Sequence, residues 1–267
     1  MHWPAEDLWL AMSPQLPGFS VEVLPTIDST NSELMRRARA GQTDPVLLVA
    51  EQQTAGRGRL GRQWQSEAGN SLTFSLGLPL APNDWSGLSL AIGWAIVNAL
   101  DPLKQYGLGL KWPNDLWLMP RQAAQTHPRK LAGILVETAA PALAASMPPG
   151  IRYCVMGVGI NLQTPPATDN PIAPVGLREF DPQATPANVL MRIAPGLMAT
   201  ALAFEQQGFA PFQASFNQRD VLYGLPVKLS DGQEGIGQGV NDKGELLVAQ
   251  GNTVLRVHSA EVSVRPR

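Results

Sequence analysis

Four strand-like runs follow one another at Gly109 to Trp112, Leu116 to Leu118, Lys130 to Thr138 and Ile151 to Ile160, with no segment of helical spacing between them. Parallel neighbours need long, usually helical crossovers, so strands in such close succession pair mainly in antiparallel fashion. The expected fold class is therefore α+β, a mixed and largely antiparallel sheet with helices, rather than a doubly wound one. Upstream, Val21 to Pro25, Val46 to Ala50 and Ser71 to Leu78 add strands. Thr30 with Glu33 three residues later fits a capping box, which opens a helix ending near Gly41. Trp85 to Leu103 carries Leu88, Ala91, Ile92, Ala95, Ile96 and Ala99 at helical spacing, with Trp94 as core. Ala187 to Gln207 and Phe212 to Arg219 complete the expected helices.

From Leu225 the character of the chain changes. Five short strands, at 226–229, 235–239, 246–249, 253–257 and 261–264, are separated by Asp-Gly, Asp-Lys-Gly and Gly-Asn turns, the pattern of a small barrel. The chain is accordingly divided at 1–220 and 221–267. Residues 1 to 20 are expected to be an irregular arm, and Met119 to Arg129, 139–149 and 163–186 to be loops.

The run Gln53-Thr54-Ala55-Gly56-Arg57-Gly58-Arg59-Leu60-Gly61-Arg62-Gln63-Trp64 sets three arginines among three glycines and closes on a tryptophan. Glycine lets backbone N–H groups approach a polyanion, guanidinium forks bind phosphate or carboxylate in bidentate fashion, and an indole can stack on a base. Taken alone the run is also compatible with a solvated basic loop, or with an arginine-glycine segment that binds RNA by charge and stacking.

The rest of the composition weighs against RNA. Over 267 residues the formal net charge is −2 at pH 7, so the positive charge at Arg57, Arg59 and Arg62 is local, as suits a small anion. The amino terminus has no basic region followed by an apolar core, and the apolar stretch from Leu88 to Leu100 is too short to span a bilayer; a cytoplasmic protein is expected. Cys154 is the single cysteine, read as a buried strand thiol, and His2, His127 and His258 lack metal-ligand spacing.

Two further segments, Lys111-Trp112-Pro113-Asn114-Asp115-Leu116-Trp117 and Lys130-Leu131-Ala132-Gly133-Ile134-Leu135-Val136-Glu137, each place a lysine at the edge of an apolar run. With Asp28-Ser29-Thr30-Asn31 before the arginine loop and Gly157-Val158-Gly159-Ile160-Asn161 after it, five segments stand in an order and spacing that resembles the biotin protein ligases, from about Val21 to the carboxy terminus. The resemblance implies an SH3-like carboxy-terminal domain and an ATP-dependent enzyme. Such an enzyme activates biotin as biotinyl-5′-AMP and transfers it to a lysine of the biotin carboxyl carrier protein of acetyl-CoA carboxylase. Residues 1 to 20 are too few for the winged helix-turn-helix of the family's repressors, so no DNA partner is expected; nor is a membrane, and a monomer or weak homodimer is.

By resemblance, Lys130 contacts the biotin carboxylate and the α-phosphate, Arg57 and Arg59 with Gly56 and Gly58 fold over the adenylate, and Arg62 binds the triphosphate. Trp64 packs on adenine, although a tryptophan at a strand start is often core. Ser29, Thr30, Asn31 and Gln53 fall to biotin, with Ser29 favoured over Thr30 because capping competes for the threonine hydroxyl. Lys111, Asn114 and Asp115 lie at the nucleotide, where Asp115 is either a Mg²⁺ contact or the proton acceptor for the incoming amine. Gly133 and Gly157 line the biotin site and Asn161 the nucleotide, with structural glycines the alternative for Gly157 and Gly159. Trp112 lines either site or core. Two departures from the family pattern are the insertion at 119–129 and a Val257-to-Glu261 segment without the glycine-rich turn often found there. The rival functions are a lipoate or octanoate transfer enzyme of the same fold and the RNA-binding module.

Overall fold

A computed structural model describes residues 2–120, 127–140, 150–166 and 172–258, and the backbone of 264–266. Seven strands form the main sheet: β1 (Ser20–Ile27), β2 (Val46–Gln53), β3 (Ser71–Leu80), β4 (Leu108–Lys111), β5 (Asp115–Leu118), β6 (Arg129–Ala139) and β7 (Arg152–Asn161). Their order is β1-β2-β3-β7-β6-β5-β4. Only β1 and β2 run parallel, joined by helix α2 (Thr30–Arg39); the remaining pairs are antiparallel, as close succession along the chain dictates.

Alternation along β2 assigns the two faces. Leu47 and Val49 belong to the large core under α3 (Leu88–Leu100) and α4 (Pro186–Gln207), whereas Val46 and Leu48 pack with Leu34, Met35 and Ala38 of α2. Helix α4 starts at a capping box between Thr185 and Asn188 and packs on α3 and β3. It is long and apolar enough to cross a membrane by length and composition, but half of that window is buried inside the protein, as in a core helix. Trp94 of α3 meets Phe212 of α5 (Ala210–Asn217) with ring centroids 5.6 Å apart.

The carboxy-terminal strands β8 (Pro226–Leu229), β9 (Glu234–Val240), β10 (Leu246–Gln250), β11 (Thr253–Val257) and β12 (Val264–Pro266) form a separate antiparallel sheet of the SH3-like kind, in the order β11-β10-β9-β8-β12. It is fastened to the main sheet beside the Lys111–Asp115 turn. Trp112 is fully buried and its indole N–H donates to the Gly244 carbonyl at 3.1 Å, so this tryptophan is core. Gly244 (φ 76°) approaches Gly87 so closely that a Cβ would lie 2.7 Å from the Gly87 Cα.

Three expectations need correction. The amino-terminal arm is not irregular throughout: Ala5–Met12 is a helix, α1, whose Leu8 and Met12 are buried four residues apart. Its single turn of apolar spacing is too short to stand out in the sequence. The amino cap of α2 is Ser29, in extended backbone, with its hydroxyl accepting from the Ser32 N–H, and Thr30 is the first helical residue. Glu33 closes no capping box; it pairs with Arg36 and Arg37. The central part of the expected 119–129 insertion, much of the loop at 139–149, and residues 259–261 lie outside the described residues.

Candidate active site

A cleft of about 1010 Å³, open to solvent, lies where α2, the arginine loop, the β4–β5 turn and the middle of β6 and β7 meet. The strand–turn–strand unit that carries Asp115 owes its shape to Asn114. The Asn114 side-chain amide donates to the Ile134 carbonyl at 2.8 Å, and the Asn114 carbonyl accepts from the Ile134 N–H at 2.9 Å, which pins the turn to β6.

Lys130 reaches the cleft because β6 is bulged. Leu116 pairs with Ala132 but Trp117 with Lys130, leaving Leu131 as the extra residue. In an unbroken strand, positions 130 and 133 would face opposite sides. Here a Cβ on Gly133 would stand 3.4 Å from the Lys130 Nζ, so both face the same space. The Lys130 backbone is held on both sides, its N–H by the Ala173 carbonyl and its C=O by the Val175 N–H, each at 2.9 Å. Its Nζ meets Asp115 Oδ1 at 2.7 Å.

The charges converge. Arg57, Arg59, Arg62, Lys111 and Lys130 line the cleft together with Asp115, and Arg57 also pairs at 3.0 Å with Glu137 behind the lining. Lys111 is paired with Asp115 across β4 and β5, lies 5.8 Å from the Trp117 ring centroid, and is only 8% exposed. Burial pushes its ammonium down to about 8; Asp115 opposes that shift while Lys130, Arg62 and Arg59 add to it. Burial likewise makes the Arg59 guanidinium less basic, offset in part by Asp115 and reinforced by Arg62. Positive groups gathered this closely favour a polyanionic ligand.

The arginine loop folds back on itself. The Trp64 N–H donates to the Gly56 carbonyl at 2.9 Å and the Gly58 N–H to the Arg62 carbonyl at 2.7 Å, with Arg57 opposite Gln63 between them. Gly56 is required by that closure, because a Cβ would lie 2.4 Å from the Trp64 carbonyl oxygen. The Trp64 ring lies flush on Gly159 of β7, where a Cβ would be 2.3 Å from its Cε2. The indole thus forms one wall of the cleft, and its N–H is buried with no acceptor among the described residues.

The other end of the cleft is neutral and polar. Ser29, Thr30 and Asn31 are buried there beside Gln53, whose Oε1 accepts from the Thr30 N–H at 2.7 Å. Ser29 and Thr30 both line this end; the Ser29 hydroxyl caps the helix, and the Thr30 hydroxyl meets Gln53 Oε1 at 3.1 Å and Ser75 Oγ at 2.7 Å. Gly157 is dictated by Asn31, whose Oδ1 lies 1.9 Å from where a Cβ would stand.

The cleft gathers nearly all the residues singled out from the sequence. The exceptions are Gly56, buried within the loop, Trp112, which is core, and Asn161, whose side-chain amide donates to the Lys130 carbonyl at 3.4 Å. Sequence reasoning missed Thr73 and Phe74 among the lining and Ser75 behind it, and gave no role to Pro113, Leu135 and Glu137 within their motif segments. Thr73 and Ser75 alternate on β3, which identifies a shared face, but nothing local says that this face meets a ligand.

Comparison with known proteins agrees with this geometry. The description of the biotin/lipoate A/B protein ligase family matches residues 23–151. The chain is 34% identical over 258 residues to the bifunctional ligase/repressor BirA of Escherichia coli, covering 94% of this chain and 76% of that protein. It is 32% identical over 254 residues to the biotin–[acetyl-CoA-carboxylase] ligase of Mycobacterium tuberculosis, covering 91% and 88%. Its fold matches that of the biotin protein ligase from Aquifex aeolicus in complex with biotin and ATP, with a TM-score of 0.73, 25% identity, and coverage of 92% and 99%. This chain belongs to the biotin protein ligase family.

Proposed function

We propose that the chain joins biotin to a carrier protein in two steps within this cleft. A carboxylate oxygen of biotin attacks the α-phosphorus of ATP, the bond to the bridging oxygen breaks, and pyrophosphate leaves with both electrons. The ε-amine of a lysine on the biotin carboxyl carrier protein of acetyl-CoA carboxylase then attacks the acyl carbon of biotinyl-5′-AMP. AMP departs and the amine loses a proton. The observation that carries this reading is the juxtaposition of a neutral, hydroxyl- and amide-lined pocket with Arg57, Arg59, Arg62, Lys111 and Lys130 at its charged end.

In both steps negative charge builds up on phosphate oxygens, so fixed cations stabilise the transition states more than the ground states. Lys130, held by its bulge and by backbone bonds on both sides, bridges the biotin carboxylate and the α-phosphate. Lys111 and Arg62 hold the remaining phosphates, while Arg57 and Arg59 close over the adenylate. Trp64 presents a flat apolar face to the adenine. Thr30 and Gln53 hold the ureido group of biotin, which a lipoyl chain would leave unused. Asp115 keeps Lys130 in place during activation and accepts the amine proton during transfer.

Magnesium enters as part of Mg-ATP, carried on the phosphates, and Asp115, one of whose oxygens meets Lys130, is the carboxylate of the cleft lining that such an ion would find. In this reading residues 1–220 form the catalytic unit, 221–267 the SH3-like unit, and the protein acts in the cytoplasm.

The test incubates the protein with biotin, Mg-ATP and a carrier domain and weighs the acceptor. A mass increase of one biotinyl group that vanishes when the acceptor lysine is changed to arginine is expected. An unchanged mass alongside a lipoylated or octanoylated acceptor in parallel incubations would move the protein to the acyl-transfer branch.

A further inference from the structure

Behind the cleft an unbroken line of polar contacts connects the arginine loop to the neutral pocket. Arg57 Nη2 donates to Glu137 Oε1 at 3.0 Å, and its Nη1 to Ser32 Oγ at 3.2 Å. Asn31 Nδ2 donates to the other Glu137 oxygen at 3.0 Å and to the Leu135 carbonyl at 3.1 Å. Ser75 Oγ lies 2.7 Å from both Asn31 Oδ1 and Thr30 Oγ1. Thr30 in turn meets Gln53 Oε1 through its N–H at 2.7 Å and its hydroxyl at 3.1 Å.

Proton counting fixes the Asn31 end of this line. Two acceptors fix the Asn31 amide with Nδ2 toward Glu137 and the Leu135 carbonyl, so Oδ1 faces Ser75 and can only accept. Ser75 has one proton for two oxygens, each at 2.7 Å, so Asn31 and Thr30 share it, and the Thr30 hydroxyl donates in turn to Gln53 Oε1. The Thr30 and Gln53 end of the cleft is thus tied, contact by contact, to Glu137.

We propose that Glu137 is a positioning residue that couples the arginine loop to the head-group pocket, acting through Asn31 and Ser75 on Thr30. The inference rests on the biotin reading above for the identity of the ligand but not for the coupling itself. Arg57 is half exposed, and an isolated ion pair there would contribute little. Its importance comes from Asn31 sharing the same carboxylate and from Ser75 being fully buried, since a break in a buried chain leaves partners unsatisfied.

The experiment breaks the chain at two points and reads both ends. Glu137→Gln removes the charge that holds Arg57; Ser75→Ala cuts the line at Thr30 without touching the loop. For each full-length variant and the wild type, biotin affinity is measured by calorimetry and tryptic cleavage after Arg57, Arg59 and Arg62 is followed by mass spectrometry. Coupling requires crossed effects. Ser75→Ala should speed cleavage of the loop several-fold as well as weaken biotin, and Glu137→Gln should weaken biotin roughly tenfold as well as free the loop. Tryptic sites elsewhere should keep their wild-type rates, which separates coupling from general loosening. If Ser75→Ala does not fold, Ser75→Cys keeps the volume with a weaker donor. Purely local effects, with each variant altering only its own end, overturn the proposal. Should the wild type bind no biotin, the functional reading fails, and loop cleavage in the Ser75 variant then decides the coupling by itself.

Discussion

Gly133 and Lys130, three residues apart on one strand, share a face of the sheet because Leu131 is bulged out between them. The bulge turns the ammonium into the cleft and the missing side chain leaves it room. Lys130→Ala should accordingly abolish adenylate formation and leave the fold intact, as loss of a charge-assisted contact to the reacting groups costs about a hundredfold or more in rate. Pyrophosphate release is the measurement; a folded variant that releases it at the wild-type rate would remove Lys130 from the chemistry.

Lys111 should limit stability and serve binding. Its folded-state pKa of about 8 lies below the ordinary 10.5, so the buried ammonium opposes folding most fully below pH 8, and the penalty fades as pH rises from 8 to 10.5. Lys111→Met should therefore raise the melting temperature at pH 7, by on the order of 1–3 kcal/mol of stability, with the advantage shrinking toward pH 10. The same variant should bind ATP more weakly. Thermal melts across pH check the first part, and an unchanged KM for ATP would contradict the second.

Gly157→Ala should damage the biotin end of the cleft selectively. The new Cβ would occupy the position of Asn31 Oδ1, a buried and hydrogen-bonded atom, so Asn31 must move and Ser75 loses that acceptor. Biotin affinity should fall by about tenfold or more, with loss of ~1–3 kcal/mol of stability. Calorimetry and denaturant unfolding test both; retention of wild-type affinity would mean that Asn31 has another place to go.

Trp64 covers Gly159 with one face of its indole. If the other carries the adenine, Trp64→Ala should raise the KM for ATP far more than that for biotin, since a stacked base typically contributes about 1–3 kcal/mol in nucleic-acid sites. Equal increases for both substrates would instead mark the indole as packing alone.

Arg59→Gly separates making the adenylate from keeping it. The variant should still form biotinyl-5′-AMP but release it sooner, so that serum albumin in the same tube acquires biotin on surface lysines. A blot showing no more labelled albumin than with wild type, from a variant shown to make adenylate, would refute a retention role for the loop.

Local signals determined much of this protein. Strand succession between Gly109 and Ile160 set the antiparallel order of β4 to β7, glycine-punctuated turns after Leu225 announced the second sheet, and the lysines, arginines and Gly-Val-Gly run pointed to most of the cleft through the family resemblance they carry. The first two are short-range properties, written in spacing and turn chemistry. The tertiary structure decided what depends on contacts across the sheet. Which of Ser29 and Thr30 caps α2 turned on one residue of helix register, a difference that propensity does not resolve. The bulge at Leu131 arises from pairing with β5 and cannot be read from β6 by itself. Glu137 reads in sequence as the last letter of an apolar run, and becomes a partner of Arg57 and Asn31 only when residues 80 and 106 positions away are brought to it. A hydrogen-bond chain is a property of convergence in space, and this one exists because five elements, α2, β2, the loop, β3 and β6, bring their polar atoms to a single line.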